Sequence, residues 1–234
     1  MIRWEPPGPY GIAFTTRVGG VSDGPYASLN LGRKLGDDAE RVDENRRRAC
    51  ADLGADAARL AMNFQRHTTL VHRARPGSRG DVVGDGLWTD ERDVPMLALT
   101  ADCLPIALAR TNGAGPAIGV LHAGWRGLLG GITDAGVAAL GGASVAAAIG
   151  PAIGPCCYEV GEDVAEPFRA RFGGDVVRDG RLDLWTAAER ALRGAGCVSV
   201  ERFDLCTSCR ADLFFSYRRD GIPRGGQGVI GHIV

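Results

Sequence analysis

Two histidines and a cysteine stand where apolar runs end, and they make the chain's best case for chemistry. Cys103 follows Thr-Ala-Asp at a break in one apolar run. His122 closes another and is followed by Gly124 and Gly127, while His67 ends Gln65-Arg-His in a strand-like segment. A mixed nitrogen and sulfur donor set suits zinc or copper, and three protein ligands leave a fourth position for water or substrate, the pattern of catalytic zinc. The intervals, 36 residues from His67 to Cys103 and 19 from Cys103 to His122, match no local metal motif. A free buried cysteine is more often a small hydrophobe than a ligand, so both readings stand at this point.

The remaining candidates carry less. Cys206-Thr-Ser-Cys209 has the separation of half a zinc ribbon, but no second CxxC exists, which argues against a structural four-cysteine site. Its place near the C-terminus also argues against a thioredoxin-like role, so these cysteines read as ordinary reduced thiols. The adjacent Cys156-Cys157 pair is poorly suited to bridging itself. His72, five residues after His67, points to the opposite face of a strand and reads as a surface residue or an orienter of a ligand. His232 reads as a terminal polar residue, and the arginine runs 46–48 and 218–219 as solvated faces, with one arginine of each run able to reach a phosphate as the alternative.

The elements that must position these residues follow from periodicity. Tyr10 to Thr16 reads as a strand entering the Gly19-Gly20 turn. Asp37 and Glu40 have capping-box spacing and open a helix through Leu53 that stops at Gly54. Segments 60–64 and 68–73 are strand-like, and the buried run 96–109 is interrupted at 100–105. Segments 117–122, 145–149 and 198–203 are further strands. A small-residue helix runs from after His122 to Leu140, and amphipathic helices cover 162–172 and 184–192. Near-continuous apolar strands interleaved with helices predict one α/β domain over 1–234, with α+β as the alternative: a layered sandwich whose mixed sheet is covered by helices, strand order open.

Composition bounds the rest. The chain has 234 residues, 45% hydrophobic and 24% charged, with 27 basic against 28 acidic side chains and a net charge of −1. Wholesale disorder is excluded, and there is no electrostatic case for nucleic acid or an anionic membrane. Lys34 is the one lysine among the basic residues. The uncharged stretch 135–158 is interrupted by Gly141-Gly142, Gly150-Pro151 and Gly154-Pro155, which break any single spanning helix. With no apolar run after Met1-Ile-Arg-Trp-Glu and an odd count of seven cysteines, the expectation is a cytoplasmic protein with reduced thiols.

Several segments together resemble a known family: Thr15-Thr-Arg-Val-Gly-Gly-Val-Ser22, Ser28-Leu-Asn-Leu31, Gly36-Asp-Asp38, Asn45-Arg46, Gln65-Arg-His67 and Thr100-Ala-Asp-Cys-Leu-Pro105. They continue through His122-Ala-Gly-Trp-Arg-Gly127, Ile149-Gly-Pro-Ala-Ile-Gly-Pro-Cys-Cys-Tyr-Glu-Val160, Cys206-Thr and Phe214-Phe-Ser-Tyr-Arg-Arg219. The set resembles the laccase-domain family, long labelled multicopper polyphenol oxidase and later described as purine nucleoside phosphorylases. The resemblance implies a zinc site, or copper in its place, made by His67, Cys103 and His122, which are then also the catalytic residues. It implies phosphorolysis of adenosine, inosine, guanosine and methylthioadenosine, and deamination of adenosine, in a monomer or homodimer whose partners are nucleoside and phosphate. Four histidines are too few for a three-copper cluster plus a blue copper, so the oxidase label does not fit.

Within the matched motifs, Arg17 and Arg126 are the phosphate candidates, against a plainer role pairing with surface carboxylates. Asp85 and Asp102 are candidate proton carriers or orienters of a histidine ligand, and Trp125 or Tyr158 could stack on a purine. Three departures stand out. Thr68 replaces the family's usual glycine, Arg66 a small apolar residue, and Gly225-Gly-Gln227 an expected Gly-Arg-Gln, with Arg224 displaced by two positions. Two other functions fit the same residues: a cysteine hydrolase with Cys103 as nucleophile and His122 or His67 as base on a cell-wall precursor amide, and a metal-binding module without turnover.

Overall fold

The computed structural model describes residues 1–112, 115–141 and 144–234. In chain order its strands are Ile2–Trp4 (β1), Tyr10–Phe14 (β2), Met62–Phe64 (β3), Val71–Arg73 (β4), Arg79–Val83 (β5), Gly86–Thr89 (β6) and Met96–Thr100 (β7). They continue as Leu104–Arg110 (β8), Ile118–Ala123 (β9), Val145–Ile149 (β10), Val177–Arg178 (β11), Arg181–Leu182 (β12), Ser199–Arg202 (β13) and Gln227–Ile233 (β14). The helices are Ala39–Asp52 (α1), Trp125–Gly130 (α2), Ile132–Ala139 (α3), Glu162–Phe172 (α4), Leu184–Gly194 (α5) and Tyr217–Asp220 (α6).

The architecture is α/β, as expected, but with two large sheets where the sequence predicts one. A mixed six-stranded sheet has the order β13-β10-β8-β9-β6-β4, and a four-stranded antiparallel sheet the order β1-β2-β14-β7. Only β10–β13 and β4–β6 pair in parallel in the larger sheet. Strand β8 explains the layering through its period of two. Leu104, Ile106 and Leu108 share a buried cluster with Val137 of α3, Phe168 of α4 and Leu192 of α5. The alternate residues, Ala107 and Ala109, instead join Ile12, Phe14 and Val229 of the smaller sheet. Burying each of those large side chains contributes roughly 1.5–3 kcal/mol, while alanines on the other face let the two sheets approach. Helix α1 covers the far side of the smaller sheet, where Ala49 and Cys50 pack with Ala13, Leu97 and Ile230.

Local expectations met the structure with small displacements. The cap of α1 is Asp38, not Asp37: its carboxylate accepts from the N–H groups of Glu40 and Arg41, while Asp37 accepts from Ser22 and Asn30 instead. The helix after His122 is two helices, broken at Gly131, whose φ of 94° is left-handed. Strand β14 escapes the sequence reading because glycines interrupt its pattern. A Cβ on Gly228 would stand 2.0 Å from the Ala98 carbonyl oxygen, so glycine is required there. His232 lies in that strand, 2% exposed, with Nε2 on the Leu53 carbonyl; it is a core residue and not the terminal polar residue expected. Of the Gly141-Gly142 break, Gly142 lies outside the described residues. No described helix is long and apolar enough to cross a membrane.

Candidate metal centre and cleft

His122 is fixed first. It sits on β9 between β8 and β6, with Pro105 opposite it on β8. Its N–H donates to the Asp85 carbonyl and its Nδ1 lies 2.7 Å from Asp85 Oδ1, leaving Nε2 to face the site. Asp85, just before β6, also accepts from the backbone N–H groups of Arg66, His67 and Thr68 and from the Thr68 hydroxyl. One carboxylate thereby holds both histidine segments. Burial raises the Asp85 pKa, but the bonds from His122 and Thr68 outweigh it and hold the carboxyl well below its usual range. Gln65 clamps the same segment to β7, donating to the Leu99 carbonyl at 2.7 Å and accepting its N–H at 2.8 Å.

His67 Nε2 stands 3.7 Å from Cys103 Sγ, and the His67 and His122 rings meet edge to face at 4.9 Å. The three ligand atoms all lie within 4.8 Å of one another. A tetrahedral zinc with ordinary Zn–S and Zn–N bonds would space sulfur and nitrogen by about 3.5 Å, so the donor set fits that ion. Gly124 closes the other side: a Cβ there would meet His67 Cδ2 at 2.5 Å and Cys103 Sγ at 3.1 Å. Both His67 (φ 60°) and Asp102 (φ 93°) hold left-handed backbone, strain that clusters at sites the surrounding structure over-determines. Burial pushes the Cys103 thiol up, but the charge of His122 and hydrogen bonds from both histidines bring it down to about 6. Burial likewise lowers His122, yet Cys103 and Asp85 carry it up to about 9. Each charged form favours the other, a thiolate at Cys103 and an imidazolium at His122.

The triad lines a cleft of about 530 Å³ whose other walls bring Lys34, Arg79, Arg224, Phe64 and Tyr217. Lys34 Nζ lies 4.1 Å over the Phe64 ring, and Arg224 4.7 Å over Tyr217. Two polar atoms on this lining, Arg224 Nε and Thr100 Oγ1, are buried and unpartnered; burial lowers the Arg224 pKa.

Asp85 is hydrogen-bonded to His122 Nδ1, the placement of a residue that orients that ring. Asp102 is not so placed: its oxygens accept from the Thr207 hydroxyl at 2.6 Å and the Arg218 N–H at 2.7 Å, so it anchors the loop before Cys103. Arg17 is not brought to the cleft, because its guanidinium binds the Ala27 and Ala211 carbonyls and packs on Phe215. Arg126 is exposed over Trp125, outside the cleft lining, and forms no salt bridge among the described residues. Trp125 packs on the helix-side core, and Tyr158 lies beneath Arg218; neither lines the cleft. His72 bonds the Val83 carbonyl, apart from the triad. Sequence reasoning missed Phe64, Tyr217 and Lys34, although the uniqueness of Lys34 was a signal. It also discounted Arg224, whose displacement by two positions still lets it reach the cleft. A second group escaped as well: Cys156, Cys157, Cys206 and Cys209 place four sulfurs within 4.8 Å of one another. A second CxxC is unnecessary, because an adjacent pair supplies the other two thiols.

A family described as multi-copper polyphenol oxidoreductase laccase matches residues 11–232. The chain is 44% identical over 223 residues to a purine nucleoside phosphorylase of Deinococcus radiodurans, covering 91% of this chain and 85% of that protein. It is 36% identical over 231 residues to the purine nucleoside phosphorylase YlmD of Geobacillus stearothermophilus, covering 88% and 84%. The crystal structure of a Neisseria meningitidis protein superposes with a TM-score of 0.89 at 34% identity, covering 99% of this chain and 97% of that one. That of YlmD superposes with 0.86 at 34% identity, covering 100% and 99%.

Proposed function

Because the chain belongs to the multi-copper polyphenol oxidoreductase laccase family, we propose that it is a zinc-dependent purine nucleoside phosphorylase, with copper as the alternative metal. Its substrates are adenosine, inosine, guanosine and methylthioadenosine, and adenosine is also deaminated. The observation that carries this reading is one cleft joining the His67–Cys103–His122 donor set to a cationic wall with an unpartnered Arg224 Nε. Relatives named purine nucleoside phosphorylase support it. The chain acts as one domain over 1–234, as monomer or homodimer, in the cytoplasm, where its seven free cysteines stay reduced.

His67, Cys103 and His122 would hold the ion, which supplies a Lewis acid beside the substrate when bound. Asp85 keeps the proton of His122 on Nδ1, so that Nε2 is presented as a donor. In phosphorolysis a phosphate oxygen bonds to C1′ of the ribose while the C1′–N9 bond breaks, and the departing purine keeps that electron pair and takes up a proton. Arg224 and Lys34 hold the phosphate dianion. Phe64 and Tyr217 flank the planar base. In deamination a water oxygen replaces the 6-amino group, which leaves as ammonia. Arg126 remains a candidate phosphate contact only where the polypeptide around Trp125 turns toward bound substrate; Arg17 and Asp102 act as structural supports.

A second reading rests on the thiolate of Cys103 beside the imidazolium of His122 and the Asp85 carboxylate, the constellation of a cysteine hydrolase acting on a cell-wall precursor amide. A metal-binding module without turnover is the third. Metal content and products measured on one sample separate them. The phosphorylase yields adenine, ribose 1-phosphate and inosine from adenosine and phosphate, in proportion to zinc. Full amidase activity in metal-free protein would establish the hydrolase, and absence of any product the module.

A further inference from the structure

We propose that Cys156, Cys157, Cys206 and Cys209 form a second, structural zinc site, a tetrathiolate clamp behind the loop that presents Cys103. Two turns bring the sulfurs together. Cys156 and Cys157 lie on the turn where the N–H groups of Cys157 and Tyr158 donate to the Gly154 carbonyl. Cys206 and Cys209 lie on the turn closed from the Arg210 N–H to the Cys206 carbonyl. The turns are joined by a bridge between Ala152 and Cys206, and by the Gly154 N–H donating to Cys206 Sγ at 3.3 Å.

The distances select the chemistry. Cys209 Sγ stands 3.5 Å from Cys156 Sγ and 3.4 Å from Cys157 Sγ, and all four sulfurs fall within 4.8 Å. A disulfide would need about 2.05 Å, whereas sulfurs on a tetrahedral zinc with Zn–S bonds near 2.3 Å are spaced by about 3.8 Å. Packing does not account for the cluster, because Cys156 and Cys209 are exposed and only Cys206 is buried. Four thiols with no oxygen or nitrogen donor are the set of a closed zinc site, with no position left for water. Uptake of the ion expels a proton from each thiol that carries one and requires no oxidant.

The clamp has a definite place in the fold. Thr207, inside the CxxC, donates its hydroxyl to Asp102, and the Ile153 N–H, three residues before Cys156, donates to the Asp102 carbonyl at 2.9 Å. Both halves of the clamp therefore grip the residue preceding Cys103. The site is independent of the metal reading of the cleft.

The test is zinc stoichiometry on the full chain by native mass spectrometry, with cobalt substitution as a spectroscopic reporter. The wild-type chain should carry two zinc ions, Cys103→Ala one, and the double variant Cys156→Ser/Cys209→Ser one. The intense sulfur-to-cobalt bands of a four-thiolate site should persist in Cys103→Ala and vanish in the double variant. A Cys103→Ala chain that keeps all four thiols yet binds no zinc overturns the proposal even if the double variant does not fold. So does a disulfide within the cluster in protein purified under reducing conditions. Wild type binding one zinc while Cys103→Ala still binds one would sink only the cleft assignment and leave the clamp standing.

Discussion

The molecule holds two clusters of soft donors, and they are built on opposite plans. At the cleft, three donor side chains arrive from three separate places: the segment after β3, the β7–β8 loop and strand β9. Each is fixed from behind by bonds that leave one face open to a cavity of about 530 Å³. At the clamp, four donors arrive from two adjacent turns, and all are sulfur. An open donor set can do chemistry; a closed one can only hold chain together. The difference lies less in which residues are used than in whether the scaffold reserves a coordination position.

If that contrast holds, the largest effect comes from Cys103→Ala. Both phosphorolysis and deamination should fall to background by product chromatography, with melting temperature little changed; survival of either activity would break the idea of a shared open site. Asp85→Asn should come next, costing about 10- to 100-fold in metal affinity or activity, as loss of a ligand-orienting carboxylate does. Equilibrium dialysis against zinc checks it. Arg224→Ala should raise the KM for phosphate about 10- to 150-fold, from loss of a charged hydrogen bond of roughly 1.5–3 kcal/mol. Deamination, which uses no phosphate, should be unaffected, and an equal loss in both would place Arg224 in support of the fold instead.

The smallest effect concerns the segment that carries Cys206 and Cys209. Arg219 ties its ends together through the Thr207, Ser208 and Phe214 carbonyls and pairs with Asp220. The Arg219 hydrogen bonds hold the Asp220 carboxyl below its usual value against the effect of burial, with Arg17 adding a smaller pull. A depressed folded pKa means that this stabilisation is present above the unfolded value of about 3.9 and is lost as pH falls below it. Asp220→Asn should therefore flatten the acid limb of the melting curve below about pH 4, by less than about 1 kcal/mol since the pair is partly exposed. An unchanged acid limb would remove Asp220 from the account.

How much of this was legible in the sequence differs between the same two regions. The cleft triad could be read because its members sit in motifs at strand ends, and His67, Cys103 and His122 do converge. The clamp could not be read by counting CxxC spacings, because its second pair is adjacent residues on a turn. Arg17 shows the converse case: a motif arginine beside glycines was a phosphate candidate, and the fold engages its guanidinium with the Ala27 and Ala211 carbonyls. Pairings of this kind depend on tertiary approach, which local pattern does not encode. The fold class followed from apolar periodicity, but β14 did not, since the glycines that let it slip against Ala98 erase its alternation.

That strand has a kinetic consequence. Strand β14 lies between β2 and β7, its neighbours more than 120 residues earlier in the chain. During synthesis, both neighbours emerge long before the strand that separates them, so each presents an unsatisfied edge until residues 227–233 are delivered. Unpaired edges are templates for wrong partners, and pairings this distant in sequence close slowly. The smaller sheet thus stays open over the whole interval between β7 and β14, and the cleft wall that β7 contributes is fixed only when β14 arrives.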